Sequence, residues 1–189
     1  MSELSARVKL ASVEQPLPKM WIGILLGILF LVLELIEGVS SPNVEGPTGA
    51  TVASLLTSFS IWFYWLYCVF KFHDAVGRIP GYQHPITPAR AVALHFVPFY
   101  NFYWIFRWPT ALARFVNWRM QAKKMRGWIA GLLVLAAVLT FRFLDGFLGA
   151  MLLFGCGWYI CRQLRHAFAA PPVPESAMSP PSRTGILQL

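Results

Sequence analysis

Residues Thr87–Arg126 read TPARAVALHFVPFYNFYWIFRWPTALARFVNWRMQAKKMR, and how this stretch sits decides the rest of the chain. Its first half is about as apolar as a membrane span, yet Pro98 and Asn101 stand at its middle, and past Pro109 it fills with positive charge. Thr87-Pro88 is a good helix start, because Thr caps and Pro is tolerated in the first turn. From Pro88 to Trp108 two geometries compete. As one kinked helix, about twenty residues span about 30 Å. As two half-helices broken at Pro98, each arm of about ten residues reaches about 15 Å and returns to the side it left. Pro98 removes a backbone donor and clashes with the preceding turn, so a break there is physically reasonable. Asn101 offers a side chain to the freed backbone groups, which a bilayer does not leave unpaired.

Charge chooses between the two. Ala111, Phe115, Trp118, Ala122 and Met125 recur at helical spacing, with Arg114, Asn117, Gln121 and Lys124 on the opposite face. That pattern predicts an interfacial amphipathic helix over 110–126 whose basic residues, Arg114, Arg119, Lys123, Lys124 and Arg126, face anionic lipid headgroups on the cytoplasmic side. The connector 71–90 is basic too. Two successive basic connectors on one side require an even number of crossings between them, and zero is the one available. The segment 88–108 is therefore expected to be re-entrant or shallowly inserted. On that topology every Lys and Arg except Arg142 lies inside; with five spans only Arg7, Lys9, Lys19, Lys71, Arg78, Arg90 and Arg142 would.

Outward from this stretch the composition agrees. Of the 189 residues 57% are hydrophobic and 13% charged, and the mean hydropathy is +0.55, too apolar for an ordinary soluble domain. The net charge of +8 lies between apolar blocks and not along one soluble face, which favours membrane orientation over nucleic acid. The expected fold is all-α integral membrane, with spans over 20–38, 51–72, 127–144 and 146–162, a cytoplasmic tail 1–19 and a disordered Pro/Ser-rich tail over 167–189. The first apolar block is read as a retained span and not a cleavable signal, since Glu34 and Glu37 sit in its last third. Residues 39–50 read as a loop, and Asp145-Gly146 as a tight turn between the last two spans. Gly23 with Gly27, Gly127 with Gly131, and Gly146 with Ala150 have the spacing that permits close helix approach.

The aromatic run Trp62, Phe63, Tyr64, Trp65, Tyr67 and Phe70 is wider than an interfacial belt, so some of its rings should pack against other helices. Cys68, Cys156 and Cys161 fall inside apolar blocks without disulfide or zinc spacing, and read as small packing residues.

Ionisable groups in a span mark a function or a partner. Glu34 and Arg142 are placed to pair near the outer surface, with Glu37 or Asp145 as substitutes; the alternative is that all four reach interfacial water independently. His95 is the one histidine within an apolar block, and Ala91 leaves room above its ring, an arrangement compatible with a tetrapyrrole ligand but more simply with a bond to a nearby carbonyl, Tyr100 or Asn101. His73-Asp74 ends the second span and reads as interfacial. There is no HExxH, GxSxG, phosphate loop or paired-acid cluster, so no catalytic residue is expected and no metal site.

The run PARAVALHFVPFYNFYWIFRW, with Pro88, Ala91-Val92, Phe96, Pro98, Asn101, Tyr103 and Trp104, resembles a set of uncharacterised bacterial multi-pass membrane proteins of a domain-of-unknown-function type. The resemblance covers residues 50–120 and implies a bacterial inner-membrane setting without supplying an activity. The leading expectation is a non-catalytic accessory or structural subunit of a larger membrane complex. Behind it stand a small oligomeric transporter or channel component using the Pro98/Asn101 break, and a tetrapyrrole-binding subunit through His95.

Overall fold

The structure is a computed structural model that describes residues 17–40, 46 and 48–171. The tails 1–16 and 172–189, and most of the loop 41–47, lie outside the described residues. Among the described residues six α-helices follow one another: α1 (Met20–Ser40), α2 (Gly49–Gly77), α3 (Pro88–Ala93), α4 (Tyr100–Met120), α5 (Gly127–Phe143) and α6 (Gly146–Ala169), with a 3₁₀ turn at Leu94–Phe96. Among the described residues all regular structure is helical, and α1, α2 and α6 are each long and apolar enough to cross a membrane. Helix α5 is apolar but shorter. These helices mark a membrane protein.

Local chemistry sets the starts. Thr48 and Thr51 cap α2 reciprocally, each side chain taking the other's backbone N–H. Thr87 caps α3 through the Arg90 N–H with Pro88 in the first turn, as the sequence predicts. Asp145 caps α6 through Leu148 N–H, so the turn after α5 is short.

Glycines set how closely the helices meet. A Cβ on Gly23 would overlap the Phe154 ring, and one on Gly27 would stand 3.1 Å from the Ala150 Cβ, so α1 lies against α6 through its GxxxG face. At the far end of the same pair Gly146 meets Phe30, and at the near end a Cβ on Gly157 would lie 2.6 Å from Met20 Sδ and 3.1 Å from Trp65. Tyr64 donates to the Lys19 carbonyl at 2.6 Å, and Thr51 donates to Glu37, so α1 runs antiparallel to α2 as well. Beyond Lys19 both α2 and α6 continue in one direction, and the residues between α3 and α5 gather around that overhang.

Helix α4 corrects the sequence reading of this stretch. It does not end at Pro109, and no separate interfacial helix runs over 110–126; one helix spans Tyr100–Met120 with Pro109 inside it. Pro109 withholds the N–H that Ile105 C=O would accept, and Gly131 of α5 packs against this turn: a Cβ there would stand 3.0 Å from the Ile105 oxygen, so only a bare backbone fits. The next carbonyl, Phe106, accepts from the Thr110 hydroxyl at 2.7 Å. The face Trp104, Ile105, Trp108, Ala111, Leu112, Phe115 and Val116 is buried in the bundle and not laid on a surface. The helix stops at Met120 because Gln121 turns left-handed (φ 47°) and the Gln121 and Ala122 N–H groups bond back to Trp118 and Asn117.

The expected break does occur, over 97–99. Val97 is extended, Phe99 has φ 59°, and the turn closes on itself, Tyr100 N–H to Pro98 C=O (2.6 Å) and Asn101 N–H to Val97 C=O (3.1 Å). The Asn101 side chain takes no part, contrary to expectation, because main-chain bonds already satisfy the turn; its Oδ1 is buried without a partner among the described residues. Thr110 meets Gly127 and Phe106 meets Gly131, so α4 runs antiparallel along α5. The Pro98 turn thus lies past the middle of α5, towards its Phe143 end, while Thr87 and Met120 are both at the overhang end.

Candidate functional sites

Two groups of polar residues are assembled at the overhang end. The first is a cluster of histidines around Trp108. His73 is fully buried on the α2 face that also carries Val69, Phe72 and Val76. His84 comes from the connector after α2, and its Nε2 lies 2.6 Å from His73 Nδ1. Two neutral imidazoles at this distance share one proton between facing nitrogens, and either tautomeric arrangement serves. Burial holds the His84 pKa down to about 4, so this ring is neutral at pH 7. The connector is pinned over the pair by Tyr82, whose ring lies 5.0 Å from both Phe115 and Trp118 of α4 and 6.0 Å from His84.

His95 completes the cluster from the 3₁₀ turn. Its Nδ1–H donates to Ala91 C=O at 2.8 Å, which leaves the lone pair on Nε2, and Trp104 Nε1–H donates to the same oxygen at 2.9 Å. The expectation of a carbonyl partner is met. The Trp108 ring stands 6.1 Å from His73 and 6.3 Å from His95, so a tetrapyrrole on His95 would have to compete with that indole for space. His73 Nε2, His84 Nδ1, His95 Nε2 and Trp108 Nε1 are buried with no hydrogen-bond partner among the described residues. Among those residues, no three His, Cys, Asp or Glu side chains stand together in a way that could hold a metal ion.

The second group is a basic cleft where α4 turns into α5. Thr110, Ala113, Arg114 and Asn117 of α4, Lys123, Met125 and Arg126 of the connector, and Gly127 and Trp128 of α5 line a volume of about 230 Å³. Asn117 builds it. Its Oδ1 accepts from the Lys124 and Met125 N–H groups at 2.8 and 2.9 Å, and its Nδ2 donates to Met125 C=O at 2.9 Å. Three bonds from one side chain hold the connector in a fixed arch, with three cations on the cleft and no acidic residue lining it.

The remaining sequence candidates separate. Arg119 is not free to face lipid: it donates to Ala167 and Ala170 C=O, at 3.4 and 3.0 Å, and closes the C-terminus of α6. Lys124 is exposed and does not line the cleft. Glu34 and Arg142 form no ion pair; the charged neighbours of Glu34 are Asp145 and Glu37, and Glu37 is engaged by Thr51. The one ion pair among the described residues is Asp74–Arg78 at 2.8 Å, one helical turn apart. The three cysteines are buried and free, with Cys156 directed to Ala130 C=O and Cys161 to Pro18 C=O. The His73–His84 pair escapes a sequence reading that treats His73-Asp74 as one interfacial unit. Helical phase separates them, since His73 falls beside Val69 and Val76 while Asp74 turns outward to Arg78.

No protein-family model, no curated protein and no solved structure matches this chain.

Proposed function

We propose that the chain is a non-catalytic integral membrane protein of the bacterial inner membrane, an accessory or structural subunit that docks into a larger membrane complex. It crosses the bilayer four times through α1, α2, α5 and α6, with 88–108 re-entrant from the cytoplasmic side and both termini cytoplasmic. The resemblance of 88–108 to bacterial multi-pass membrane proteins supports the setting, and the antiparallel pairing of α4 with α5 supports the re-entrant arm. The observation that carries the docking reading is the turn at Pro98. Phe96, Phe99, Phe102 and Tyr103 are all exposed there, Phe99 at 89% and with a φ of 59° that a bulky residue rarely adopts. An aromatic tip held outward at a backbone cost is a contact surface for a neighbouring protein within the membrane.

The test is native electrophoresis of gently solubilised membranes. Wild-type protein should migrate in an assembly larger than its own oligomer, and Phe99→Ala with Phe102→Ala should release it as a folded, smaller species. An unchanged assembly would remove the docking role of the tip. Cysteine labelling at Gln121 tests the topology, since reaction from outside would exclude the re-entrant arm.

A second reading, a small oligomeric transporter component, draws on the buried and unpartnered Asn101 Oδ1 beside the broken backbone. Ion or solute flux in liposomes containing the purified protein alone would favour it. The tetrapyrrole reading through His95 stands third, and a visible absorption band on purification would revive it.

A further inference from the structure

We infer that the cleft between α4 and α5 is a binding site for the phosphodiester headgroup of an anionic glycerophospholipid. The inference rests on the membrane topology proposed above, which sets this end of α5 at the cytoplasmic interface.

Charge is the first argument. Arg114, Lys123 and Arg126 reach the cleft from one helix and its following connector, with the Thr110 hydroxyl beside them. Guanidinium groups match phosphate oxygens in a two-pronged geometry, and an ammonium adds a third contact without directional demand. None of the three cations forms an ion pair within the described residues, whereas Arg78 at the same end is neutralised by Asp74 and Arg119 is spent on α6.

Rigidity is the second. The arch that carries Lys123 and Arg126 is held by the three Asn117 bonds and by the close approach of Gly127 to Thr110, so the cations are set before a ligand arrives.

The surface below the cleft selects a lipid over a soluble phosphate. Trp128 lines the cleft and is exposed, and Leu132, Ala136 and Leu139 continue from it along α5 at helical spacing, all exposed. A headgroup in the cleft would therefore lay its acyl chains along an apolar stripe that begins at the cleft wall. A free anion makes no use of that stripe. Indole rings at the headgroup level are a recurrent anchor for this arrangement.

The experiment is native mass spectrometry of the detergent-solubilised full chain offered equal phosphatidylglycerol and phosphatidylcholine. One retained phosphatidylglycerol per chain is expected. Arg114→Gln with Lys123→Gln and Arg126→Gln should weaken it on the order of a hundredfold, each cation contributing about fivefold near a membrane surface. Arg90→Gln, an exposed cation at the same end but outside the cleft, should leave it unchanged. Should the triple variant lose helicity, quenching of Trp128 by brominated phosphatidylglycerol in the single variant Arg114→Gln supplies the same reading, with Trp128→Phe identifying the signal.

Retention of both lipids alike, or selectivity that survives the three substitutions, would overturn the inference. So would displacement of the lipid by millimolar glycerol phosphate, which would make the cleft a soluble-anion site. A wild-type chain that shows no preference for phosphatidylglycerol while its native assembly is intact would count against this site and not against the accessory reading; an assembly unchanged by the aromatic-tip substitutions, with the lipid retained, would do the reverse.

Discussion

The two ends of the helical bundle solve different problems. Among the described residues, one end carries Glu34, Glu37 and Asp145 with a single cation, Arg142, and its helix starts are capped by Thr48 and Asp145. At the other stand Lys19, Lys71, Arg78, Arg90, Arg114, Arg119, Lys123, Lys124, Arg126, Arg162 and Arg165. There the helices overhang, and side chains knit the connections: Asn117 over the 121–126 arch, Arg119 onto α6, and the His73–His84 pair under the 78–87 connector. The acidic end adds one side-chain bond between helices, Thr51 to Glu37, to its local caps, whereas several such bonds, from Asn117, Arg119 and the histidine pair, tie the connections at the basic end. Its integrity therefore depends on tertiary contacts that single substitutions can remove.

The largest effect should come from closing the glycine contact on which the basic end stands. Gly131→Leu would drive a branched side chain into the Phe106 backbone and the Ile105 carbonyl, and should lower stability by about 3 kcal/mol or more, read as a fall in melting temperature in detergent. The equivalent change at Gly38, at the other end and with open space around it, should cost almost nothing.

Next is Asn117→Ala. It leaves the Met125 N–H and C=O without partners and the Lys124 N–H with the Ala122 carbonyl alone, and about 2 kcal/mol should be lost, together with faster proteolysis at Lys123 and Lys124.

Acid should act on the basic end selectively. His84 has its folded pKa held down to about 4 by burial, below the ordinary value near 6.5. The unfolded chain therefore binds the proton first. The contribution is complete above about pH 6.5 and is lost progressively as the pH falls towards about 4. A melting series over that range should show the slope, and His84→Gln should flatten it.

The smallest effect sharpens the comparison at the acidic end. A double-mutant cycle between Glu34→Gln and Arg142→Gln should give a coupling energy within about 0.3 kcal/mol of zero, as for sites without a shared contact. A coupling above about 1 kcal/mol would restore the ion pair that the structure lacks.

What was legible in the sequence follows the same division. Apolar block length gave α1, α2, α5 and α6, and local chemistry gave the Thr87-Pro88 start and the Asp145-Gly146 turn, since each depends on residues close in sequence. Reading Pro109 as a helix end follows a local rule, whereas α4 continues through it with Gly131 of another helix packed against that turn. Arg119 and Asn117 both read from the sequence as polar surface positions, although they point about 200° apart on the helix. Only the approach of α6 and the return of the 121–126 connector tell their roles apart. The His73–His84 pair depends on where the 78–87 connector lands, which no periodicity encodes.

The Pro109 turn also marks where α4 is most exposed to change on its neighbour. The Ile105 carbonyl receives no N–H from its own helix at Pro109, and the bare Gly131 backbone of α5 lies against it. A side chain at Gly131 would therefore press on α4 at the turn that its own hydrogen bonds hold least.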